Sequence, residues 1–407
     1  MKVQNLFLSM CAIVALASCS QNEDVVVPTG NDALKAQVTL KLEGDGVNSR
    51  APGDSETATE TGAAIKNVTV FFFNQTDFIV GKPQFIEAAN IGNPITTTTD
   101  AAEVVVIANL GDKTSDTTFD GIASLSQLQK LDFSSVDTNA TSSVTTVNQS
   151  KDNLYSSGMG EITFTENAGT ANVQLHFVAA KIKTVKITWK AAQNYAATEA
   201  FLKSDKTKWF TVKKVYMMTA QTKSPLIPST TVDASWGGFV PQSYAYAGGV
   251  LWGVAPWTWT GTNTPKQTND YLAVTADLTA SGEEITNALS SKSWYLFENS
   301  SASPHPTGLV IEVLWRSKNE STEEADLLTK YFTMYFGEKG ANSTNQPLLT
   351  AGKTYDMAMS LNGDFKPGGN AGGGGDDPTK PSVDASVTVT VTPAHWTTTA
   401  EITKEFQ

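Results

Sequence analysis

Two bonds near the N-terminus have residue types that invite defined chemistry. The first lies before Cys19, which closes the run Leu16-Ala17-Ser18-Cys19 behind Lys2 and an apolar stretch from Leu6 to Ala17. That stretch is too short to span a bilayer as a helix and suits the apolar region of a signal peptide. Small residues give a signal peptidase access to the bond, and the freed cysteine thiol can carry a diacylglycerol. Residues 1–18 therefore read as a lipoprotein signal peptide and Cys19 as the lipidation site. The second bond joins Arg50 to Ala51. Arg50 and Arg316 are the only arginines in the chain, and Arg50 stands in Gly44-Asp-Gly-Val-Asn-Ser-Arg50-Ala51-Pro52-Gly53, followed by an acidic, Thr-rich stretch to Gly62. Such a composition builds no core, so this segment is the expected site of cleavage by a protease that reads a basic residue.

Other chemistries lack their parts. His176, His305 and His395 fall in a strand pattern, a Pro-flanked loop and a C-terminal strand pattern, with no nucleophile elbow or orienting carboxylate beside them. The glycines from Gly368 to Gly375 are not followed by Lys-Ser/Thr, so they make no phosphate loop. Glu43-Gly-Asp45 and Asp376-Asp377 lack the spacing of a calcium loop. With Cys11 and Cys19 as the two cysteines, the body of the chain has no thiol and no disulfide. The expectation is a non-enzyme with no cofactor and no metal. The 407 residues carry 29 basic against 41 acidic side chains, a formal charge of −12, which gives no electrostatic footprint for nucleic acid.

The elements that must position these bonds read as all-β. From about residue 33 onward, short alternating runs rich in Thr are separated by turn residues, the pattern of sandwich domains. Leu34, Ala36, Val38, Leu40 and Leu42 alternate with Lys35, Gln37, Thr39, Lys41 and Glu43, which predicts a half-buried strand. Val68-Thr-Val-Phe-Phe-Phe73 runs through a turn at Asn74-Gln-Thr-Asp77 into Phe78-Ile-Val80, and Glu103 to Asn109 reads as a central strand. Ile122, Leu125, Leu128 and Leu131 predict one short helix over 121–132. The long run from Asn172 to Trp189 is expected to pass from a first domain into a second near residue 180. The second domain then takes in Phe210 to Met218, Ser293 to Asn299, Gly308 to Trp315, Lys330 to Phe336 and Thr354 to Met359.

After Phe365 a Gly-flexible and Pro-stiffened linker leads to a second isolated alternating segment. Val383, Ala385, Val387, Val389 and Val391 alternate with Asp384, Ser386, Thr388, Thr390 and Thr392, and Trp396 follows. A tethered apolar strand with an unpaired backbone is an aggregation hazard unless it has a dedicated partner. It matches the alternation of the strand that begins at Leu34. Cleavage after Arg50 would free the body from the acyl anchor and let that first strand leave its groove. The C-terminal segment of the next molecule would then fill it, and head-to-tail addition of this kind yields a filament.

One further cluster gathers Trp236, Phe239, Tyr244, Tyr246, Trp252, Trp257 and Trp259 among Gly and Pro. Aromatics of this size usually bury their area in cores and interfaces. The rival reading is a non-polymerising surface lipoprotein that stacks these rings on a glycan.

Taken together, the chain resembles the fimbrillin family of Bacteroidetes, the subunits of type V pili. The resemblance is carried by the lipobox ending at Cys19, the acidic Glu23-Asp24 after it, the Arg50 loop, Val68-Thr-Val-Phe-Phe-Phe73 and Val104-Val-Val-Ile-Ala-Asn109. It continues through the Val173 to Val185 crossover with Ala180-Lys181, Tyr295-Leu-Phe-Glu-Asn299, Thr307-Gly-Leu-Val310 and Tyr331 to Phe336. Lys353-Thr-Tyr355 through Asn362-Gly363 and Val387-Thr-Val-Thr-Val-Thr-Pro-Ala-His-Trp396 complete it. His176 departs from the Arg of the family's crossover strand, and Leu154-Tyr-Ser-Ser-Gly-Met159 is a loose form of its Met-Ser-Gly segment.

The resemblance implies two tandem transthyretin-like β-sandwich domains with a flexible C-terminal donor strand. The expected division is a signal peptide at 1–18, a propeptide with the N-terminal strand at 19–50, sandwiches at 51–180 and 181–365, and linker plus donor strand at 366–407. It implies export to the outer membrane as a lipoprotein precursor, trypsin-like cleavage after Arg50, and a cell-surface fimbrium that serves adhesion and biofilm formation. Its implied partners are further copies of the chain, accessory fimbrial subunits and the processing protease. Because both the Arg50 loop and the donor pattern are present, the expectation is a shaft subunit rather than an anchor or tip.

Overall fold

The computed structural model describes residues 34–44, 64–133, 154–191, 210–218, 220–221, 223–228, 246–247, 271–278, 284–285, 294–299, 306–318, 325–337, 348–363, 385–389, 391–392 and 401–406. Almost all of the regular structure is β. The first set of strands is β1 (Lys35–Gly44), β2 (Asn67–Asn74), β3 (Gln84–Glu87), β4 (Ile95–Thr98), β5 (Ala101–Ala108), β6 (Ser156–Thr165) and β7 (Ala168–Phe177), with one helical turn, α1 (Leu125–Leu128), between β5 and β6. The strands join in the order β3-β2-β5-β6-β7-β1-β4.

Side-chain parity along β2 and β5 explains how this sheet feeds two cores. Val68, Val70 and Phe72 of β2, with Val104, Val106 and Ala108 of β5, pack on one side against Val38 and Leu40 of β1 and Ala171, Val173 and Leu175 of β7. The alternate residues Phe71, Phe73, Val105 and Ile107 face the other side, against Leu125 and Leu128 of α1, Phe119 and Phe133. Both faces of β2 and β5 are therefore buried, which is why they read as continuous apolar runs.

β6 changes partners along its length. Ser156 to Glu161 pair with β5, and Ser156 and Ser157 pair on their other side with Phe177 and His176 of β7; β7 pairing then breaks and resumes at Ile162 to Thr165, opposite Ala171 to Ala168, where β5 pairing has ended. Glycine lets the two backbones lie close across the break. A Cβ on Gly158 would lie 1.9 Å from the carbonyl oxygen of Gln174, and one on Gly160 would lie 2.2 Å from that of Asn172.

The turn after β2 forms where the sequence predicts it. Asn74 Oδ1 accepts hydrogen bonds from Thr76 N (3.0 Å), Thr76 Oγ1 (2.9 Å) and Phe78 N (3.0 Å). The helix expected over 121–132 is shorter than its apolar spacing suggests. Only Leu125–Leu128 is α-helical, capped by Ser124 Oγ, which accepts from Gln127 N. Ile122 and Leu131 still pack on the same core from the flanking backbone, so the apolar spacing reflects a common buried face rather than a continuous helix.

The second set comprises β8 (Ala179–Ala191), β9 (Phe210–Met218), β10 (Ala220–Gln221), β11 (Tyr246–Ala247), β12 (Tyr271–Leu278), β13 (Glu284–Ile285), β14 (Trp294–Phe297), β15 (Gly308–Lys318), β16 (Ala325–Tyr335), β17 (Thr354–Gly363), β18 (Ala385–Val389), β19 (Val391–Thr392) and β20 (Glu401–Phe406). One sheet runs β12-β9-β15-β16, another β13-β8-β17-β20-β18 with β14 on β8 and β19 on β17, and β10 and β11 form a two-stranded sheet of their own. The two sets share a topological device. β1 runs parallel to β7, the last strand of the first set, and β8, the first strand of the second set, runs parallel to β17.

The run from Asn172 to Trp189 is divided at Val178 between β7 and β8, which belong to different sheets. The two sets are not joined by this crossover alone. Leu226, Ile227, Phe297 and Ala351 pack into the core of Phe71, Phe133 and Tyr155. Phe133 stacks on Tyr155 with centroids 4.6 Å apart and on Phe297 at 6.1 Å. Backbone bonds cross as well, from Phe133 N to Ser224 O (2.9 Å) and from Leu226 N to Leu131 O (3.2 Å).

Candidate functional site

β1 lies in a slot bounded by a strand on each side. Along one edge it pairs in parallel with β7 from Gln37↔Ala168 to Gly44↔Leu175. Along the other it pairs antiparallel with β4 from Lys35↔Thr98 to Val38↔Ile95. The N-terminal end is fastened too. Gln37 N donates to Asn167 O at 2.9 Å, Leu34 N donates to Thr99 Oγ1 at 3.2 Å, and Thr99 N donates to Leu34 O at 2.9 Å.

Strand alternation decides what enters the slot. Ala36, Val38 and Leu40 are buried, and Leu42 is partly buried against the same core. Lys35, Gln37, Lys41 and Glu43 are exposed on the opposite face. Leu34, read from the sequence as the first inward residue, differs. It precedes the strand and is 60% exposed. The pleat that buries Ala36 stops one residue short of it, and its backbone is turned to meet Thr99.

The floor of the slot is shaped for a strand with small clearance. Gly169 lies opposite Val38, and a Cβ there would fall 2.7 Å from Phe164 Cε1 and 2.9 Å from Val38 Cγ2. Phe164 thus rests on the bare backbone of Gly169 and against Val38. Opposite Ala36, Thr97 is buried and its Oγ1 has no hydrogen-bond partner. Full burial of Val38 and Leu40, at about 1.5–3 kcal/mol each, supplies most of the gross apolar stabilisation of β1. Loss of β1 would open the edges of both β7 and β4 and uncover the core beneath them, a state that recruits any strand of suitable pattern.

At the other end of the chain, the segment read as one donor strand is divided. Ala385, Val387 and Val389 belong to β18, which pairs antiparallel with β20, whereas Val391 belongs to β19, which pairs with Tyr355 of β17. The reason is a change of partner along the segment, which the uniform Val-Thr alternation does not signal. β20 runs parallel to β17 over Asp356↔Glu401 to Leu361↔Phe406, and β18 stands at the end of that sheet. The C-terminal segment is thus docked on the second set of strands of its own chain. Sequence reasoning missed β20, because Glu401-Ile-Thr-Lys-Glu-Phe406 lacks strict apolar alternation.

Cys19, Arg50, Ala51, Val383, Trp396, Trp236, Trp252, Trp257 and Trp259 lie outside the described residues. Among the described residues there is no group of three or more His, Cys, Asp or Glu side chains placed to hold a metal ion. His176 sits on β7 opposite Ser157, and burial pushes its imidazole below the usual histidine range.

Two family models fit this arrangement of strands. Residues 36–177 match the major fimbrial subunit protein (FimA), and residues 259–396 match the C-terminal domain of FimA-like major fimbrial subunit proteins.

The chain belongs to the fimbrillin family.

Among its relatives is a protein of Parabacteroides distasonis named as a fimbrium tip subunit, Fim1C, 33% identical over 112 residues. That match takes in 26% of this chain and only 29% of the relative's length. Among solved structures, a protein of Bacteroides eggerthii named as a cell adhesion protein aligns over 92% of this fimbrillin and 98% of its own chain, with 23% identity and a TM-score of 0.58. A second such protein, from Parabacteroides distasonis, aligns over 92% and 99% of the two chains, with 14% identity and a TM-score of 0.50. At these identities the two structures speak for the fold. The matches begin at Ala36, inside β1, and end at Trp396, beyond β19, so they take in most of β1 at one end and β18 and β19 at the other, and leave out residues 1–35, 178–258 and β20.

Proposed function

We propose that this fimbrillin is a structural shaft subunit of a surface fimbrium, assembled by exchange of strands between copies. In this reading the chain is exported as an outer-membrane lipoprotein acylated at Cys19 and divided into a propeptide at 19–50, sandwiches at 51–180 and 181–365, and a donor segment at 366–407. A trypsin-like protease cuts after Arg50. β1 then leaves its slot, and the segment from Val383 to Val391 of the next subunit replaces it, giving a head-to-tail filament that supports adhesion and biofilm formation. Its partners are other copies, accessory fimbrial subunits and the protease, and its role is structural rather than catalytic.

The observation that carries this reading is the slot itself. β1 is flanked on both sides, buries only three side chains fully, and precedes the Arg50 segment, so one cut separates it covalently from the domain it completes. Two open edges and an uncovered core make vacancy costly, and they also make replacement favourable.

N-terminal sequencing and intact mass of protein sheared from the cell surface test it. A sheared form that begins at Ala51, in assemblies of high molecular weight, is the expected result. A monomer that begins at acylated Cys19 would sink the shaft reading.

The naming of Fim1C favours a second reading, a subunit at the fimbrial tip. Deleting residues 383–407 separates the two. A shaft subunit so truncated still folds but stops the filament from growing, whereas a tip subunit so truncated leaves filament length unchanged.

A further inference from the structure

At one end of the first sheet, the turn that follows β2, the Thr99–Asp100 turn between β4 and β5, and the last residues of β6 border an open depression of about 500 Å³. Its polar wall includes Asn74, Gln75, Thr99 and Asp100, and its apolar wall is Ile162 and Phe164. We propose that this depression binds a neutral hexopyranose sugar, independently of strand exchange and of the Trp-rich segment.

The volume lies within the range of small-ligand sites, and the open depression offers a ligand one mixed polar and apolar face. A pyranose ring offers both surfaces. Its C–H face packs on an apolar or aromatic wall, and its rim of hydroxyls donates and accepts hydrogen bonds.

The polar groups match that rim. The Asp100 carboxylate accepts, and the Gln75 amide both donates and accepts. Neither side chain has a hydrogen bond or ion pair among the described residues, so neither is committed to holding the fold. The backbone turns that carry them are nonetheless fixed. Asn74 Oδ1 locks the turn through three hydrogen bonds, and Asp100 sits in a two-residue turn whose first member, Thr99, is tied to Leu34. Phe164 is held from behind by Gly169 and Val38. A preformed backbone and a held aromatic ring lower the cost of ordering the site.

Charge narrows the ligand class. Among the lining residues Asp100 is the one acid, and no basic side chain stands with it. A carboxylate with no cation beside it repels carboxylated and sulfated sugars and leaves neutral ones. Thr99 marks the border with the β1 slot, but the depression is lined from β6 and the two turns rather than from β1.

The experiment is saturation-transfer NMR on the purified full-length chain with methyl α-D-mannopyranoside, methyl β-D-galactopyranoside and N-acetyl-D-glucosamine, with N-acetylneuraminic acid as the anionic counterpart. At least one neutral sugar is expected to receive saturation and to bind about tenfold or more weakly to Gln75→Ala and to Asp100→Ala, as removal of a hydrogen bond to a sugar hydroxyl predicts. Gln75 is exposed and Asp100 lies in a turn, so both variants should keep the parent melting temperature, which is measured alongside. Absence of transfer from all three neutral sugars overturns the proposal. So does binding that survives both substitutions, transfer confined to N-acetylneuraminic acid, or a signal lost in Trp252→Ala while Gln75→Ala and Asp100→Ala retain it.

Discussion

Glu298 shows how a single buried group ties stability to pH. It is 4% exposed, and one carboxylate oxygen accepts from Ala351 N at 3.0 Å. Burial pushes its carboxyl up to about 7, against the opposing pull of that N–H and of Lys353. An acid whose folded pKa exceeds its ordinary 4.5 binds more protons folded than unfolded between those values. Stability from this group is therefore full below about 4.5, falls as pH rises to about 7, and is flat above. Glu298→Gln keeps an acceptor for Ala351 and should remove that slope, as urea melts across the interval will show. Gly169 is a second case. Alanine there would press on Phe164 and Val38 and should destabilise β1 by about 1–3 kcal/mol, read as faster proteolysis in the Arg50 segment. Neither role is legible in the sequence. The word Glu-Asn in Tyr295-Leu-Phe-Glu-Asn299 carries no mark of burial, and Gly169 follows Asn167-Ala168 like any turn glycine. Both depend on what the fold brings from far along the chain.

Among elements, β1 and β18 looked alike in sequence but sit differently. The alternation from Lys35 to Glu43 placed Ala36, Val38 and Leu40 inside because a strand with one wet face has a period of two. Its outer limit was not legible, since Leu34 fits the same alternation yet lies beyond the last pleat. Leu40→Ala should thus destabilise β1 docking by about 2–4 kcal/mol, whereas Leu34→Ala should stay within about 0.5 kcal/mol. Urea denaturation of the two variants gives the comparison. β2 and β5 were legible as continuous apolar runs because both of their faces are covered. β3, β4 and β20 were not, since strands of four to six residues with Thr, Gln and Glu leave too short a pattern to distinguish from loop. The change of partner between β18 and β19 is a property of the sheet, invisible in the even Val-Thr run that spans it.

The molecule as a whole is joined by more than its chain. Phe133, Tyr155 and Phe297 form one aromatic stack across the two sets of strands, and Leu226 and Ile227 seal it. All-β architecture and fimbrillin membership could be read from the sequence. This shared core could not, because Leu131 to Phe133 and Ser224 to Ile227 are far apart in the chain and meet only in the fold. No tryptophan precedes Trp189, and Trp294 is fully buried in β14 of the second set, so tryptophan fluorescence is silent on the first set, which amide exchange in β2 and β5 reports. The two probes should give one coincident unfolding transition. Phe297→Ala should lower that shared midpoint, by about 3–5 kcal/mol of stability, rather than split it in two.

The seating of β1 has a mechanical consequence. A strand bonded at one edge only, and pulled across its length, peels away one pair at a time. β1 is bonded on both sides and lies along its neighbours, so a pull in line with the strand sets every pair against the load at once. The same seat that, in the proposed assembly, is emptied by cutting a single covalent link resists tension along its axis in shear.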